Sequence, residues 1–312
     1  MAPDPAQARP PLRVGLAQWC AVPGDPARNL GDAARLITRA GEAGCRLVVL
    51  PELWASGYDP TTLAADLRAC AEPLDGPRGE RLSALAAEHE LWLAAGSVPE
   101  HAADDQIYNT LALYDPSGRL VASHRKFHRY LPGGEDRAFA AGEGPTVCDC
   151  GPELGIVGLS VCYDGDFPET GRALREAGAR FVLQPAAYEC GAESWWERLY
   201  PATALTNGQW WILVNQIGEG CFGASRVISP LGEVVAEARR WDGEGPVPEP
   251  ELLIAELDLA GGLAQADAEA SSLFEERITD APVRSFSAAV RARSTGAAAT
   301  TCSWSAAGPP AR

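Results

Sequence analysis

A cysteine at the end of an apolar segment is the first residue in this sequence that could carry out chemistry. The segment IVGLSV (residues 156–161) has the composition of a buried strand, and Cys162 follows it directly. A Gly-Asp pair comes next, and Asp166, Pro168 and Glu169 resemble a capping box, so Cys162 is predicted to lie at a strand-to-helix corner. There a thiol would face unpaired backbone N–H groups, which favour a thiolate and an oxyanion. Taken alone, the pattern fits an inert core cysteine better, and only partner residues elsewhere in the chain can overturn that interpretation.

Two further polar residues lie where apolar strands are predicted to end. Glu52 follows the segment RLVVLP (residues 46–51), and Lys126 ends the segment LVASHRK (residues 120–126). Strand ends in open α/β sheets converge on one crevice, so Glu52, Lys126 and Cys162 could meet there. The carboxylate could take the thiol proton and return it to a leaving amine, while the ammonium stabilises thiolate and oxyanion. Individually, the glutamate could be a helix-start or ion-pair residue and the lysine a solvated charge.

The segments around these three residues resemble the catalytic signatures of the nitrilase, or carbon–nitrogen hydrolase, superfamily. They are PELWASGY (residues 51–58), HRKFHRYLPGGEDRAFAAG (residues 124–142) and GLSVCYDGDFPE (residues 158–169), in the order the family has them. The likeness covers residues 12–257. The CYDG sequence is closer to the amidase-like branch than to true nitrilases, which favours amides over nitriles. The resemblance implies a four-layer αββα sandwich, a site without cofactor, and a homodimer or larger homo-oligomer.

The resemblance also implies a role for each matching residue. Glu52 would be the general base, Lys126 the stabiliser of the oxyanion, and Cys162 the nucleophile that forms a thioester. Glu135 matches a second glutamate that positions substrate or assists proton transfer, although beside Asp136 and Arg137 it could belong to a surface cluster. The backbone N–H of Tyr163 would be a second oxyanion donor.

The substrate-binding residues are expected at the exits of strands in the second half of the chain. The candidates there are Tyr188, Glu189, Trp195 and Trp196, with Trp54 and Tyr58 opposite them. Aromatic rings beside carboxylates could hold a flat or amine-bearing acyl group. The same aromatic residues could instead pack inside the sandwich or at a subunit interface.

The predicted reaction is hydrolysis of a small non-peptide carboxamide to ammonia and a carboxylic acid through a cysteinyl thioester. The same site could attack an N-carbamoyl substrate, or pass the acyl group to an amine instead of water. A nitrilase and a catalytically inactive interaction subunit are further alternatives. A papain-type Cys-His pair using His124 or His128 is a rival, but no neighbouring Asn or Asp stands out as the partner it needs.

Composition limits the class of protein. The chain has 312 residues, of which 46% are hydrophobic and 22% charged, as expected for a large globular α/β protein. A net charge of −16 argues against a nucleic-acid or anionic-membrane partner, so the expected partner is a small molecule. The N-terminus has no signal-peptide core and no apolar stretch reaches membrane-spanning length, which predicts a cytoplasmic location.

The cysteines predict neither a disulfide framework nor a metal site. Nine cysteines, an odd number, are scattered along a chain without a secretory signal. Cys148 and Cys150 are separated by one residue, which is shorter than the spacing of a zinc knuckle, and the four histidines do not complete a ligand set. No metal and no cofactor are therefore expected.

Alternating and helical patterns predict an α/β fold with mixed sheets. Strands are predicted at residues 12–19, 46–50, 91–98, 107–114, 120–126, 146–150, 154–161, 181–183, 211–215, 225–229, 233–238 and 252–257. Helices are predicted at residues 29–44, 168–178 and 195–208, with two more between residues 61 and 89. Residues 42–57 and 176–191 share seven of sixteen positions, which favours a duplicated βαβ unit. The predicted organisation is an arm (1–11), one hydrolase domain (12–287) and a disordered tail (288–312).

Overall fold

Two six-stranded sheets form the centre of the part of the chain that the structure describes. The computed structural model describes residues 10–218 and 220–277, so the predicted tail and most of the predicted arm lie outside it. The strands are β1 (Leu12–Gln18), β2 (Leu47–Val49), β3 (Trp92–His101), β4 (Ile107–Tyr114), β5 (Leu120–Arg125), β6 (Thr146–Asp149), β7 (Ile156–Leu159), β8 (Phe181–Ala186), β9 (Trp210–Asn215), β10 (Ile217–Gly218), β11 (Cys221–Phe222), β12 (Arg226–Ile228), β13 (Val234–Glu237) and β14 (Glu251–Leu257). The helices are α1 (Pro26–Glu42), α2 (Leu63–Cys70), α3 (Pro77–Glu88), α4 (Glu135–Ala138), α5 (Gly151–Leu154), α6 (Pro168–Glu176), α7 (Glu193–Asn207), α8 (Leu259–Ala270) and α9 (Ser272–Glu275).

Each sheet combines three parallel strands with antiparallel neighbours. The first sheet has the order β14-β1-β2-β3-β4-β5, and the second has the order β13-β12-β9-β8-β7-β6. Strands β1, β2 and β3 pair in parallel, as do β7, β8 and β9. Parallel neighbours need crossover connections, and helices α1, α2, α3, α6 and α7 lie in those connections. The echoed segments contain β2 and β8, the central parallel strands of the two sheets, as expected for a duplicated βαβ unit.

The hydrophobic clusters define four layers. One cluster joins the facing sides of the sheets, where Val14 and Leu16 of the first sheet pack with Leu159 and Leu183 of the second. A second cluster places helices α1 and α3 on the outer side of the first sheet. A third places Leu174 of α6 and Trp196 and Tyr200 of α7 on the outer side of the second sheet. The predicted α/β class and αββα sandwich are therefore confirmed.

Local differences from the predicted elements have simple causes. Strand β7 starts at Ile156 because residues 151–154 form a helical turn with Pro152 near its start. The predicted capping box at Asp166 is wrong, because helix α6 begins at Pro168 after Phe167 and has no side-chain cap. Helix α8 was not predicted, although Asp258 accepts a hydrogen bond from the backbone N–H of Gly261 as an N-cap.

Two further observations concern the described residues as a whole. No helix among them has the length and apolar content that crossing a bilayer would require. The eight cysteines that the structure describes are all free thiols.

Candidate active site

The ends of strands β2 and β5 bring two of the predicted catalytic residues into contact. Glu52 lies three residues beyond β2, and Lys126 directly follows β5. The Lys126 Nζ atom lies 2.9 Å from Glu52 Oε1 and 2.8 Å from Glu135 Oε1. All three side chains are fully buried. The predicted surface cluster is therefore not the environment of Glu135, since its carboxylate belongs to a buried ion triad.

One carboxylate oxygen of Glu52 accepts hydrogen bonds, and the other has no hydrogen-bond partner among the described residues. Its Oε1 atom accepts hydrogen bonds from Lys126 and, at 2.8 Å, from Asn109 Nδ2. Its backbone carbonyl accepts a hydrogen bond from Gln216 Nε2 at 2.7 Å. Its Oε2 atom is buried without a hydrogen-bond partner among the described residues. A carboxylate oxygen without a donor is free to accept a proton from a reacting group, which is what a general base requires.

The triad keeps the lysine charged. Burial alone would lower the pKa of Lys126, but the carboxylates of Glu135 and Glu52 raise it well above its ordinary value. Burial raises the pKa of Glu135 to about 7, against the lowering effect of Lys126, while the Glu52 charge raises it further. Glu135 is held by Tyr58, whose hydroxyl donates to Oε1 at 3.3 Å, and by the backbone N–H of Tyr130, which donates to Oε2 at 2.7 Å. A permanent ammonium thus lies beside the free Glu52 oxygen.

Cys162 lies at the predicted corner, in a strained conformation. It is the first residue of a 3₁₀ helix (Cys162–Asp166) that begins soon after β7, and its φ angle of +47° is rare for a residue with a Cβ atom. Such strain persists only where the surroundings enforce it, and it is common at nucleophiles on tight turns. The backbone N–H of Ala187 is placed to hydrogen-bond the sulfur.

The environment of the thiol differs from the sequence-based expectation. Burial raises the pKa of Cys162 well above its ordinary value, the charge of Glu52 raises it further, and Lys126 lowers it only in part. The prediction that the corner itself would favour a thiolate is therefore wrong, because desolvation and the carboxylate outweigh the N–H groups and the ammonium. A thiol in this environment would need a base to remove its proton before it could act as a nucleophile.

A cavity of about 280 Å³ opens onto Cys162. Its lining contains Glu135 and four of the six residues predicted to shape the acyl pocket. The lining residues are Tyr58, Tyr130, Glu135, Cys162, Tyr163, Asp166, Ala187, Tyr188, Glu189, Cys190, Gly191, Ala192 and Trp195. The rings of Tyr130 and Tyr163 meet edge to face with centroids 5.2 Å apart, so they form one wall together.

Two of the residues predicted to bind substrate, Trp54 and Trp196, do not line the cavity. Trp196 is fully buried in the hydrophobic cluster outside the second sheet, where its Nε1 atom donates to the carbonyl of Ala224 at 3.0 Å. The Trp54 side chain is also fully buried, its Nε1 atom donates to the carbonyl of Ala95 at 2.7 Å, and its ring packs near Trp19. It belongs to the core between helix α1 and the first sheet and does not line the cavity. Tyr58, four residues further along, lines the cavity instead, because the segment after Glu52 turns back towards Glu135.

Sequence reasoning missed Asp164, which joins two of the motifs. Its fully buried carboxylate accepts hydrogen bonds from the backbone N–H groups of Phe127 and His128 and from His124 Nε2. Burial would raise the pKa of Asp164, but the hydrogen bonds from His124 and His128 lower it, so it stays ionised. The only hint in the sequence is an acidic residue two positions after Cys162.

The same contacts bear on the Cys-His alternative. Both ring nitrogens of His124 are engaged, Nε2 with Asp164 at 3.1 Å and Nδ1 with Thr146 at 3.0 Å. The His128 ring stacks on Phe167 with centroids 3.9 Å apart. Both histidines have an aspartate neighbour, contrary to expectation, but neither ring lines the cavity with Cys162, so the geometry gives no support to a Cys-His pair.

Residues 13–264, most of the described chain, match the carbon-nitrogen hydrolase family. The chain belongs to this family. A chloroplastic omega-amidase of Arabidopsis thaliana is 29% identical over 90% of this chain and 73% of its own length. The crystal structure of Saccharomyces cerevisiae Nit3, a member of branch 10 of the nitrilase superfamily, is 28% identical and has a TM-score of 0.74 over 87% of this chain and 98% of its own.

A third comparison concerns the nucleophile. An amidase from Nesterenkonia sp. AN1 is 31% identical, with a TM-score of 0.70 over 85% of this chain and 97% of its own. The structure compared is that of its glutamate-to-glutamine mutant, which shows covalent addition of the acetamide moiety of fluoroacetamide at the active-site cysteine. This carbon-nitrogen hydrolase is accordingly an amide-hydrolysing enzyme of the nitrilase superfamily, with a catalytic cysteine, as the sequence predicts.

Proposed function

We propose that this enzyme hydrolyses a small non-peptide carboxamide, with Cys162 as nucleophile, Glu52 as general base and Lys126 as electrostatic stabiliser. The observation that carries the proposal is the buried, unpartnered Oε2 atom of Glu52 beside a permanently charged Lys126. Burying a carboxylate oxygen without a donor is costly for the fold. A role in the reaction would explain why this arrangement is kept. Because the pKa of the Cys162 thiol is raised, the thiol needs such a base to lose its proton.

In the acylation step, the Cys162 proton passes to Glu52 as the sulfur attacks the amide carbon. A C–S bond forms, and the carbonyl π electrons move to the oxygen. Lys126 and the backbone N–H of Tyr163, in the first turn of the 3₁₀ helix, would stabilise that oxyanion. Glu52 then returns the proton to the amide nitrogen, the C–N bond breaks, and ammonia leaves a thioester behind.

In the deacylation step, water replaces ammonia in the same place. Glu52 takes a proton from the water as the water oxygen attacks the thioester carbon. The carbonyl then re-forms, the C–S bond breaks, and Glu52 gives its proton to the leaving sulfur, which releases the carboxylic acid and restores the thiol and the Glu52 carboxylate. Glu135 would keep Lys126 in position through both steps, since its Oε1 atom lies 2.8 Å from Nζ. The proton balance closes without a metal or cofactor.

The test is ammonia release from panels of primary amides, N-carbamoyl amines and nitriles, with intact-protein mass spectrometry of rapidly quenched samples. We expect turnover of primary amides and an acyl adduct that disappears in Cys162→Ala. Turnover of nitriles but not amides would overturn the substrate class. An adduct that persists in Cys162→Ala would overturn the assignment of the nucleophile.

We also propose that the enzyme is cytoplasmic and forms a homodimer or larger homo-oligomer, with its hydrolase domain at residues 12–287. The free thiols support a reducing compartment. Exposed valines on the edge strand β13, Val234 and Val235, support a self-association surface. Light scattering of the purified protein tests the oligomer, and a monomer at micromolar concentration would contradict it.

A further inference from the structure

We propose that the cavity selects amides whose acyl group carries a positively charged amine, with Asp166 and Glu189 as the carboxylates that bind it. This inference rests on the proposed function, because it concerns the acyl group that Cys162 would attack. The cavity is a ligand site on independent grounds, since the nucleophile opens into it.

All the charged residues that line the cavity are acidic. Three of its residues are acidic, Glu135, Asp166 and Glu189, and the lining contains no Lys, Arg or His. Glu135 is compensated by Lys126. Neither Asp166 nor Glu189 makes an ion pair with any described residue, so the cavity carries uncompensated negative charge. An anionic acyl group would be repelled, whereas an ammonium would be attracted.

Asp166 is held so that one oxygen stays available. Its Oδ1 atom accepts hydrogen bonds from the hydroxyls of Tyr188 and Tyr200, the latter at 3.0 Å. No described residue donates to its Oδ2 atom. Burial raises the pKa of Asp166 to about 7 despite the lowering effects of Tyr200 and Lys126. A cation bound at Oδ2 would relieve the cost of burying that charge.

Aromatic rings around the carboxylates fit the same ligand. Tyr58, Tyr130 and Tyr163 line the cavity with Trp195, whose side chain is about half exposed at 53%. Electron-rich ring faces attract ammonium groups, and more strongly where water is excluded. Glu189 is exposed and Asp166 is partly buried, so a cation would meet a carboxylate at the entrance and another further inside.

The test compares matched primary amides that differ in charge. They are δ-aminovaleramide with a terminal ammonium, hexanamide with a methyl group in its place, and glutaramate with a terminal carboxylate. For the wild-type enzyme at about pH 8, we expect kcat/KM for the cationic amide to exceed that for hexanamide by about tenfold or more, with glutaramate lowest. The preference ratio, cationic over neutral, should fall severalfold in Asp166→Asn or Glu189→Gln and approach one in the double variant.

The ratio is informative even where a substitution lowers overall turnover, because both amides depend on the same catalytic residues. Glu189→Gln changes an exposed side chain and is the variant more certain to fold. Glu233→Gln removes an exposed carboxylate outside the cavity and should leave the ratio unchanged. A wild-type ratio near one, or a ratio that survives the double variant, would overturn the inference while the proposed amidase function stands. Absence of turnover with all three amides would instead overturn the proposed function.

Discussion

The carboxylate of Asp164 accepts a hydrogen bond from the backbone N–H of His128 at 2.7 Å. This bond ties the segment after Lys126 to the turn that begins with Cys162. The same carboxylate binds the backbone N–H of Phe127 and, on its own side, that of Val161. The relative position of the lysine on the first sheet and the thiol on the second therefore depends on one buried aspartate.

Substitution of Asp164 by Asn should lower both the stability of the fold and the turnover of the enzyme. The amide keeps the shape but loses the charge and turns a donor towards at least one of the N–H groups. We expect a loss of about 2–4 kcal/mol in the free energy of unfolding, measured by urea titration. Turnover should fall by roughly 10²-fold, because small displacements of reacting groups are costly.

The matched control is Thr146→Val. It removes the partner of His124 Nδ1 but leaves every hydrogen bond of Asp164 in place. Turnover close to that of the wild type is expected for this variant. Similar losses in both variants would show that the His124 environment in general, rather than the Asp164 link, supports the site.

Comparing the activities of Glu52→Gln and His128→Gln shows which of the two residues acts as the base. Glu52→Gln removes the free carboxylate oxygen, so kcat should fall by roughly 10²–10⁴-fold. His128→Gln loses a ring that stacks on Phe167 outside the cavity, so most activity should remain. Steady-state ammonia release measures both variants. Comparable losses in the two would revive a role for the histidine as a base.

Gly96 supports the position of Glu52 from the neighbouring strand. It has a φ angle of +59° in the irregular part of β3, and an added Cβ would lie 2.1 Å from the carbonyl oxygen of Pro51. The next residue, Ser97, hydrogen-bonds that same carbonyl and the backbone N–H of Leu53. Gly96→Ala should therefore displace Glu52 and lower both stability, by about 1–3 kcal/mol, and turnover.

Gly31→Ala provides the comparison for this glycine substitution. Gly31 is exposed on helix α1, and an added Cβ would meet no atom within 4 Å. Alanine there should stabilise the protein by about 0.5–1 kcal/mol without changing turnover. The thermal unfolding temperatures of the two variants should move in opposite directions, and kcat should fall only in Gly96→Ala. A Gly96→Ala variant with unchanged stability and turnover would contradict the packing argument.

The sequence predicted the parts of the site that local patterns encode. Strand ends are visible as apolar segments that stop, so Glu52, Lys126 and Cys162 could be located before any coordinates. Asn109 and Asp164 could not be identified in this way, because the residues they hydrogen-bond are far away in the sequence. Only the packing of the two sheets brings each of these residues to its partner. Trp54 was misplaced for the same reason, since periodicity does not reveal on which side of a loop a ring packs. The direction of the thiol pKa depended on burial, which no motif reports.

The last prediction concerns the pH dependence of substrate preference. Groups facing Asp166 are the hydroxyls of Tyr188 and Tyr200 and the more distant charges of Lys126, Asp164 and Glu52. With its pKa raised to about 7, Asp166 is neutral below that pH and anionic above it. The preference for δ-aminovaleramide over hexanamide should therefore rise as the pH increases from about 6 to about 8, where the substrate amine stays protonated.

Dividing by the kcat/KM of the neutral amide removes the effect of other titrating groups that change the turnover of both substrates equally. Glu135, whose pKa is also raised to about 7, affects the turnover of both substrates and cancels in the ratio. In Asp166→Asn the ratio should be nearly independent of pH, because this variant lacks the carboxyl group whose raised pKa of about 7 causes the change. A ratio that still rises with pH in Asp166→Asn would assign the titration to another group, and a flat ratio in the wild type would show that the buried carboxylate does not bind the cation.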